Sequence, residues 1–187
     1  KSTQARSLLR RMRRRGVKVL RTHEPGGTPL GQYLRRLLKS GDAMTPMSEL
    51  MLFEAARSQL VDTVIKPFLD QGGVVIADRF TSSTMAYQGY GRGLDRELIE
   101  RLNREAAGGL EPDLTVLLDL PVETALARKG KESGDNFDGA PVDFHRKIRR
   151  GYTALAAADP GGWLVLDGQR PPEDLGREIW VKVQSIL

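Results

Sequence analysis

The sequence predicts an α/β fold in one domain: a parallel sheet covered by helices on both faces, in three α/β/α layers. Two observations carry this. Short apolar runs alternate with longer segments whose apolar residues recur three and four apart, the pattern of strands joined by crossover helices. Two of the runs, 74–77 (Val-Val-Ile-Ala) and 114–120, are apolar almost throughout, as expected of strands buried on both faces. With 187 residues, 40% of them hydrophobic, the chain has enough apolar surface for one core, and a domain of this size buries roughly 70% of the surface its unfolded form exposes.

In chain order, Ala5, Leu8, Leu9 and Met12 fall at helical spacing and Gly16 stops that helix, so 17–20 reads as a short strand. After the loop Glu24-Pro25-Gly26-Gly27, a helix covers about 30–38. A longer one covers about 46–69, with Leu50, Phe53, Leu60, Val64 and Phe68 among its apolar positions, and Gly72-Gly73 ends it before the strand at 74–77. The span 83–93 collects hydroxyls, an amide and three glycines and reads as a polar turn. Helices at 96–107, 122–129, 142–158 and 172–186 and strands at 114–120 and 163–166 complete the alternation. The polar, Gly-rich stretch inside 129–141 is too short for a domain and long enough for a lid. No repeat or linker divides residues 1–187.

Composition removes several function classes. There is no cysteine, which excludes disulfide frameworks, thiol nucleophiles and cysteine zinc sites. Two histidines leave little for an imidazole metal site. No apolar run approaches the roughly 20 residues that span a bilayer, and no signal pattern opens the chain, so a soluble, cytoplasmic protein without a membrane partner is expected. Lys+Arg exceed Asp+Glu by 29 to 24, a net charge of +5 that suits anionic partners. The run Arg10, Arg11, Arg13, Arg14, Arg15 reads as the solvated face of the first helix. It lacks the interleaved aromatics of a single-strand nucleic-acid site, so no nucleic-acid partner is expected.

Several short motifs point to phosphate chemistry. Lys1-Ser2-Thr3 opening a helix matches the end of a phosphate-binding loop, GxxxxGK[ST], in which the lysine reaches the β- and γ-phosphates and the first hydroxyl holds Mg²⁺. Taken alone, the tripeptide is more plainly read as an ordinary helix cap by Ser2 or Thr3. The chain opens without methionine, and the reading places a first strand and the loop's glycines upstream of Lys1. Glu24-Pro25-Gly26-Gly27 and Asp78-Arg79 each follow a strand, the position where open parallel sheets bind ligands. An acid able to hold Mg²⁺ beside a guanidinium able to grip phosphate is what phosphoryl transfer requires. Phe53 and Arg57 share one helix face, a ring for stacking beside a cation, although a core phenylalanine next to a surface arginine is the plainer reading. The amide of Gln88 offers both a donor and an acceptor to a base edge. Arg128, Lys129 and Lys131 stand where a lid could bring charge to a triphosphate.

The ordered series Lys1-Ser2-Thr3, Glu24-Pro25-Gly26-Gly27-Thr28, Leu52-Phe53-Glu54-Ala55-Ala56-Arg57, Asp78-Arg79-Phe80 and Ala86-Tyr87-Gln88-Gly89 resembles the bacterial thymidylate kinases. The resemblance implies a P-loop nucleoside monophosphate kinase, usually a homodimer, that transfers the γ-phosphoryl of MgATP to thymidine monophosphate and so supplies dTTP synthesis. It implies Lys1, Ser2, Thr3 and Arg128 at ATP, with Ser2 and Asp78 at the metal and Glu24 near sugar and metal. Arg35 and Arg79 would bind the monophosphate group. Phe53 would stack on thymine, Arg57 and Gln88 would read its polar edge, and Ser83 and Thr84 would line the pocket. Lys1, Glu24, Asp78 and Arg79 form the implied catalytic set. His23 stands where the family usually has arginine, and Asn136 where the lid usually has one. The lid's charge is therefore expected from Arg128 or from the upstream loop. The alternatives are another nucleotide or nucleoside kinase of this fold or, from a different class, a nucleic-acid-binding module using Arg10 to Arg15.

Overall fold

The computed structural model describes residues 1–129 and 140–187. Helices and strands alternate as α1 (Ser2–Arg14), β1 (Val19–His23), α2 (Pro29–Lys39), α3 (Pro46–Leu60), α4 (Lys66–Leu69), β2 (Val74–Asp78), α5 (Thr81–Thr84), α6 (Arg96–Ala106), β3 (Thr115–Asp119), α7 (Val122–Lys129), α8 (Val142–Ala158), β4 (Trp163–Asp167) and α9 (Pro172–Gln184). Local chemistry explains the helix starts. Thr28 and Thr45 each accept a backbone N–H three residues on and are each followed by proline, whose fixed φ suits the first helical turn.

The strands pair in parallel, β1 with β2 and β3 with β4. Among the described residues they form two ribbons of two strands each. Both ribbons pack on one core. Met12, Val19, Leu166, Leu175, Ile179 and Trp180 are its buried centre, with Val74 and Ile76 of β2 and Val116 and Leu118 of β3 against it. Each fully buried Leu, Ile or Met of this kind is worth about 1.5–3 kcal/mol. No residue of β2 or β3 is fully buried. Each has one paired neighbour among the described residues.

Three elements differ from expectation. The first strand begins at Val19 because Val17 N–H bonds back to the Met12 carbonyl and closes the preceding helix (3.1 Å), and it runs on to His23 in register with β2. The helix expected over 46–69 contains a π-helical turn, Val61–Ile65. Pro67 has no N–H to return to Thr63, which loosens the α-ladder there, and the Thr63 hydroxyl donates to the Gln59 carbonyl (2.6 Å). The supposed polar turn is helical, α5 continuing into a π-helix, Met85–Gly91, with Ala86, Gln88 and Gly89 buried. Its glycines serve close packing: a Cβ on Gly91 would lie 2.7 Å from Phe144 of α8. The arginines of α1 are exposed as expected, but Arg11 stacks on Trp180 of α9, 4.8 Å from the ring centre.

Candidate active site

The last pair of the β1–β2 register, His23 with Asp78, builds the site. Glu24 N–H donates to the Asp78 carbonyl (3.1 Å), so the residues that leave the two strands depart side by side. The Gly26-Gly27 turn bends the chain back closely enough that a Cβ on Gly26 would lie 2.3 Å from His23 Nε2. Arg79 adopts a left-handed backbone, φ 79°, a conformation that costs a non-glycine residue about 1–3 kcal/mol and is typically held at functional sites. Its guanidinium lies over the Tyr87 ring (4.8 Å) and donates to the Tyr87 hydroxyl (3.1 Å).

These strand ends open on a cavity of about 420 Å³. Ser2, at the start of α1, donates its hydroxyl to Asp78 Oδ2 (2.9 Å). Lys1 lies beside them, and Arg35 reaches in from α2 while donating to the Pro25 carbonyl (3.3 Å). Phe53 of α3 lines the same cavity with Ser83, Thr84 and Gln88. Eleven residues expected at the site from sequence, Lys1, Ser2, Glu24, Arg35, Phe53, Arg57, Asp78, Arg79, Ser83, Thr84 and Gln88, thus share one cavity.

Arg57 is not the surface arginine of the plainer reading: it is 1% exposed. Its Nε and Nη2 donate to Glu24 Oε2 (3.0 and 2.9 Å), and Nη1 donates to Glu54 (2.6 Å) and to Asn103 Oδ1 (2.5 Å). Burial pushes the Glu24 and Glu54 carboxyls up, and the adjacent guanidinium pulls them back. Glu24, expected near sugar and metal, has both oxygens on Arg57 and is a strut of the wall. Gln88 gives its amide nitrogen to Glu49 (2.7 Å), which also pairs with Arg92. Burial, then the charge of Arg35, lowers the pKa of His23, so this ring stays neutral where an arginine would be charged.

The cleft thus collects an aromatic ring, a buried guanidinium and an Asp-Arg strand end around one cavity. The thymidylate kinase family model matches residues 1–179. The chain belongs to the thymidylate kinase family. A thymidylate kinase of Synechococcus is 48% identical over 187 residues, covering all of this chain and 91% of the relative, and one of Dehalococcoides mccartyi is 44% identical over 189 residues with the same coverage. The crystal structure of a thymidylate kinase from Ehrlichia chaffeensis superposes with a TM-score of 0.81 at 32% identity, covering 98% of this chain and 91% of that one.

Within this family member, two expected residues stand apart from the cavity. Thr3 is exposed on α1 and does not line it. Arg128 does not line the cavity either; it donates to the Gly168 carbonyl in the turn after β4 (2.8 Å). Lys131, Asn136 and most of the expected lid lie outside the described residues. Sequence reasoning missed Arg6, Arg21 and Lys39, which add positive charge to the cavity wall, and it missed Asn103. Asn103 follows buried Ile99 by four residues on the inward face of α6, and a polar residue on an apolar stripe is the signal that a buried partner awaits it.

The fold family implies a divalent metal with the nucleotide. The donors present suit Mg²⁺: a hydroxyl and a carboxylate, both hard oxygens, in hydrogen-bond contact at the mouth of a cationic cleft. Among the described residues there is no cluster of three acidic or histidine side chains.

Proposed function

We propose that the cavity is where this nucleoside monophosphate kinase transfers the γ-phosphoryl group of ATP to thymidine monophosphate, giving thymidine diphosphate. The observation that carries the reading is that one cavity is lined both by Phe53, Arg57 and Thr84 and by Arg35, Arg79 and Lys1. A base needs a stacking ring and a few fixed polar atoms. A phosphate needs cations, and Arg79 is suited to grip it by two hydrogen bonds. The acceptor phosphate is already anionic at neutral pH. One of its oxygens attacks the γ-phosphorus as the bond to ADP breaks, and no general base is required. The chain's contribution is orientation and charge: Arg79 and Arg35 hold the acceptor, Lys1 meets the donor phosphates, and Phe53 fixes the base. Ser2 and Asp78 would hold Mg²⁺, which supplies neutralisation of phosphate charge.

A homodimer is supported by an apolar stripe: Leu30, Tyr33 and Leu37 of α2, 43%, 60% and 36% exposed, beside Met51 of α3, 44% exposed. Tyr33→Lys should convert a dimer to monomer in analytical ultracentrifugation. No helix among the described residues is long and apolar enough to cross a membrane. The absence of cysteine and the ATP and nucleotide substrates suit the cytoplasm, and the missing aromatics along Arg10 to Arg15 argue against a nucleic-acid partner. Assays with MgATP and a panel of monophosphates test the main reading. Fastest turnover is expected with thymidine monophosphate, and faster turnover of a purine monophosphate or of uridine monophosphate would overturn it.

A further inference from the structure

Two of the cleft's guanidiniums are held in opposite ways. Arg57 is paired with two carboxylates, Glu24 and Glu54. Arg79 makes no ion pair among the described residues: its Nη2 donates to the Tyr87 hydroxyl (3.1 Å), and its guanidinium carbon lies over the Tyr87 ring, 4.8 Å from the centre. A carboxylate partner would cancel much of the field that a guanidinium offers to an incoming anion, whereas a neutral ring and a hydroxyl hold it and leave the charge whole. The hydroxyl takes only one of the two Nη2 protons. A guanidinium has two edges of paired N–H groups and both include Nη2, so one complete edge is left for a two-pronged bond to phosphate. Tyr87 is itself fixed. Phe144 and Tyr152 of α8 meet its ring edge-on, with centres 6.4 and 6.5 Å away, and the Tyr152 hydroxyl is hydrogen-bonded to that of Ser83 (3.0 Å). Small residues let α8 and the helix over Met85–Gly91 close on each other: a Cβ on Gly151 would lie 2.8 Å from the Tyr90 ring.

We propose that Tyr87 is a positioning residue that presets the Arg79 fork, uncompensated by any carboxylate, for the phosphate group of the acceptor. An arginine without such a support gives up its rotamer freedom when phosphate binds, and one already held against a ring has less to lose. Tyr87 therefore acts on the phosphate end of the ligand and acts there through Arg79. The inference rests on the thymidine monophosphate reading and names what prepares its phosphate grip.

Calorimetric titration of the full chain with thymidine monophosphate and with thymidine, which lacks the phosphate, tests it, beside unfolding curves for each variant. The unmodified chain should prefer the monophosphate by at least about a hundredfold, the scale of a two-pronged charged hydrogen bond. Tyr87→Leu should cut that ratio roughly thirtyfold, the ring contact and one charged hydrogen bond together, with affinity for thymidine held within about threefold. Tyr87→Phe keeps the ring and should cut the ratio roughly fivefold, for the hydroxyl alone, and it decides the matter if the leucine variant does not fold. In an Arg79→Ala background the change Tyr87→Leu should move the ratio by less than about twofold, because nothing is left to position. A tyrosine that touched the sugar or base, or that only supported the fold, would weaken thymidine and its monophosphate alike. An unmoved ratio in Tyr87→Leu or in Tyr87→Phe, or an undiminished loss once Arg79 is gone, overturns the inference. Tight binding of thymidine monophosphate with any of those results defeats this inference alone. No binding of thymidine monophosphate by the unmodified chain defeats the functional reading and this inference with it.

Discussion

The two parts of the cleft wall are built on opposite principles. Around Arg57 the polar groups are buried and bonded to one another across α3, α6 and the loop after β1. Around Ser2 and Asp78 the wall is open, and Arg6 and Arg21 are exposed. A rigid, water-poor wall holds hydrogen-bond directions constant and so can discriminate between bases. An open cationic wall can receive and release phosphates, whose charge needs little shape recognition. Selectivity and stability are therefore coupled in the first region and separable in the second.

The largest effect expected from this contrast is on folding. Arg57→Leu strands Glu24 and Glu54 in the interior and should cost about 3–5 kcal/mol of stability, measured by denaturant unfolding. A loss below about 1 kcal/mol, the scale of an exposed ion pair, would mean the network is not structural and would break the comparison. At the other region, Arg79→Ala should lower kcat/KM for phosphoryl transfer about 10²–10³-fold, on the scale of removing one preorganised donor. Its melting temperature should move little, and near-normal kinetics would remove Arg79 from the site. Phe53→Ala lies between the two and should weaken thymidine monophosphate binding by about 1–3 kcal/mol, the scale of a base stacked on an aromatic ring; an unchanged dissociation constant would make Phe53 ordinary packing. The smallest effect concerns His23. Its folded pKa is lowered by burial and by Arg35, so the unfolded chain binds the proton more tightly. Its contribution to stability is complete above the unfolded value near 6.5 and declines as pH falls below it. His23→Gln should flatten that slope in unfolding experiments between pH 7 and 5.5, and an unaltered slope would assign the effect to other groups.

Much of this was legible in advance because it is local. Glu24 and Asp78-Arg79 could be placed at one sheet edge from apolar runs and the turns that follow them. Phe53 and Arg57 could be placed on one helix face from their spacing alone. The helix over Thr81–Gly91 was not legible, because its glycines resemble turn residues until Phe144 is found packed against Gly91. The partner of Arg128 was not legible for a similar reason: spacing beside a Gly-rich stretch says nothing of the carbonyl 40 residues away that the guanidinium meets.

By itself the sequence determined the alternation of helix and strand, the residues that leave each strand end and the family to which the chain resembles itself most, since these depend on periodicity, turn chemistry and contiguous motifs. Only the tertiary structure decided that Arg57 is buried against Glu24, 33 residues earlier, and Asn103, 46 residues later. Hydrogen-bond partners so far apart are chosen by which faces pack together, and a buried charge leaves no mark in the spacing of its neighbours.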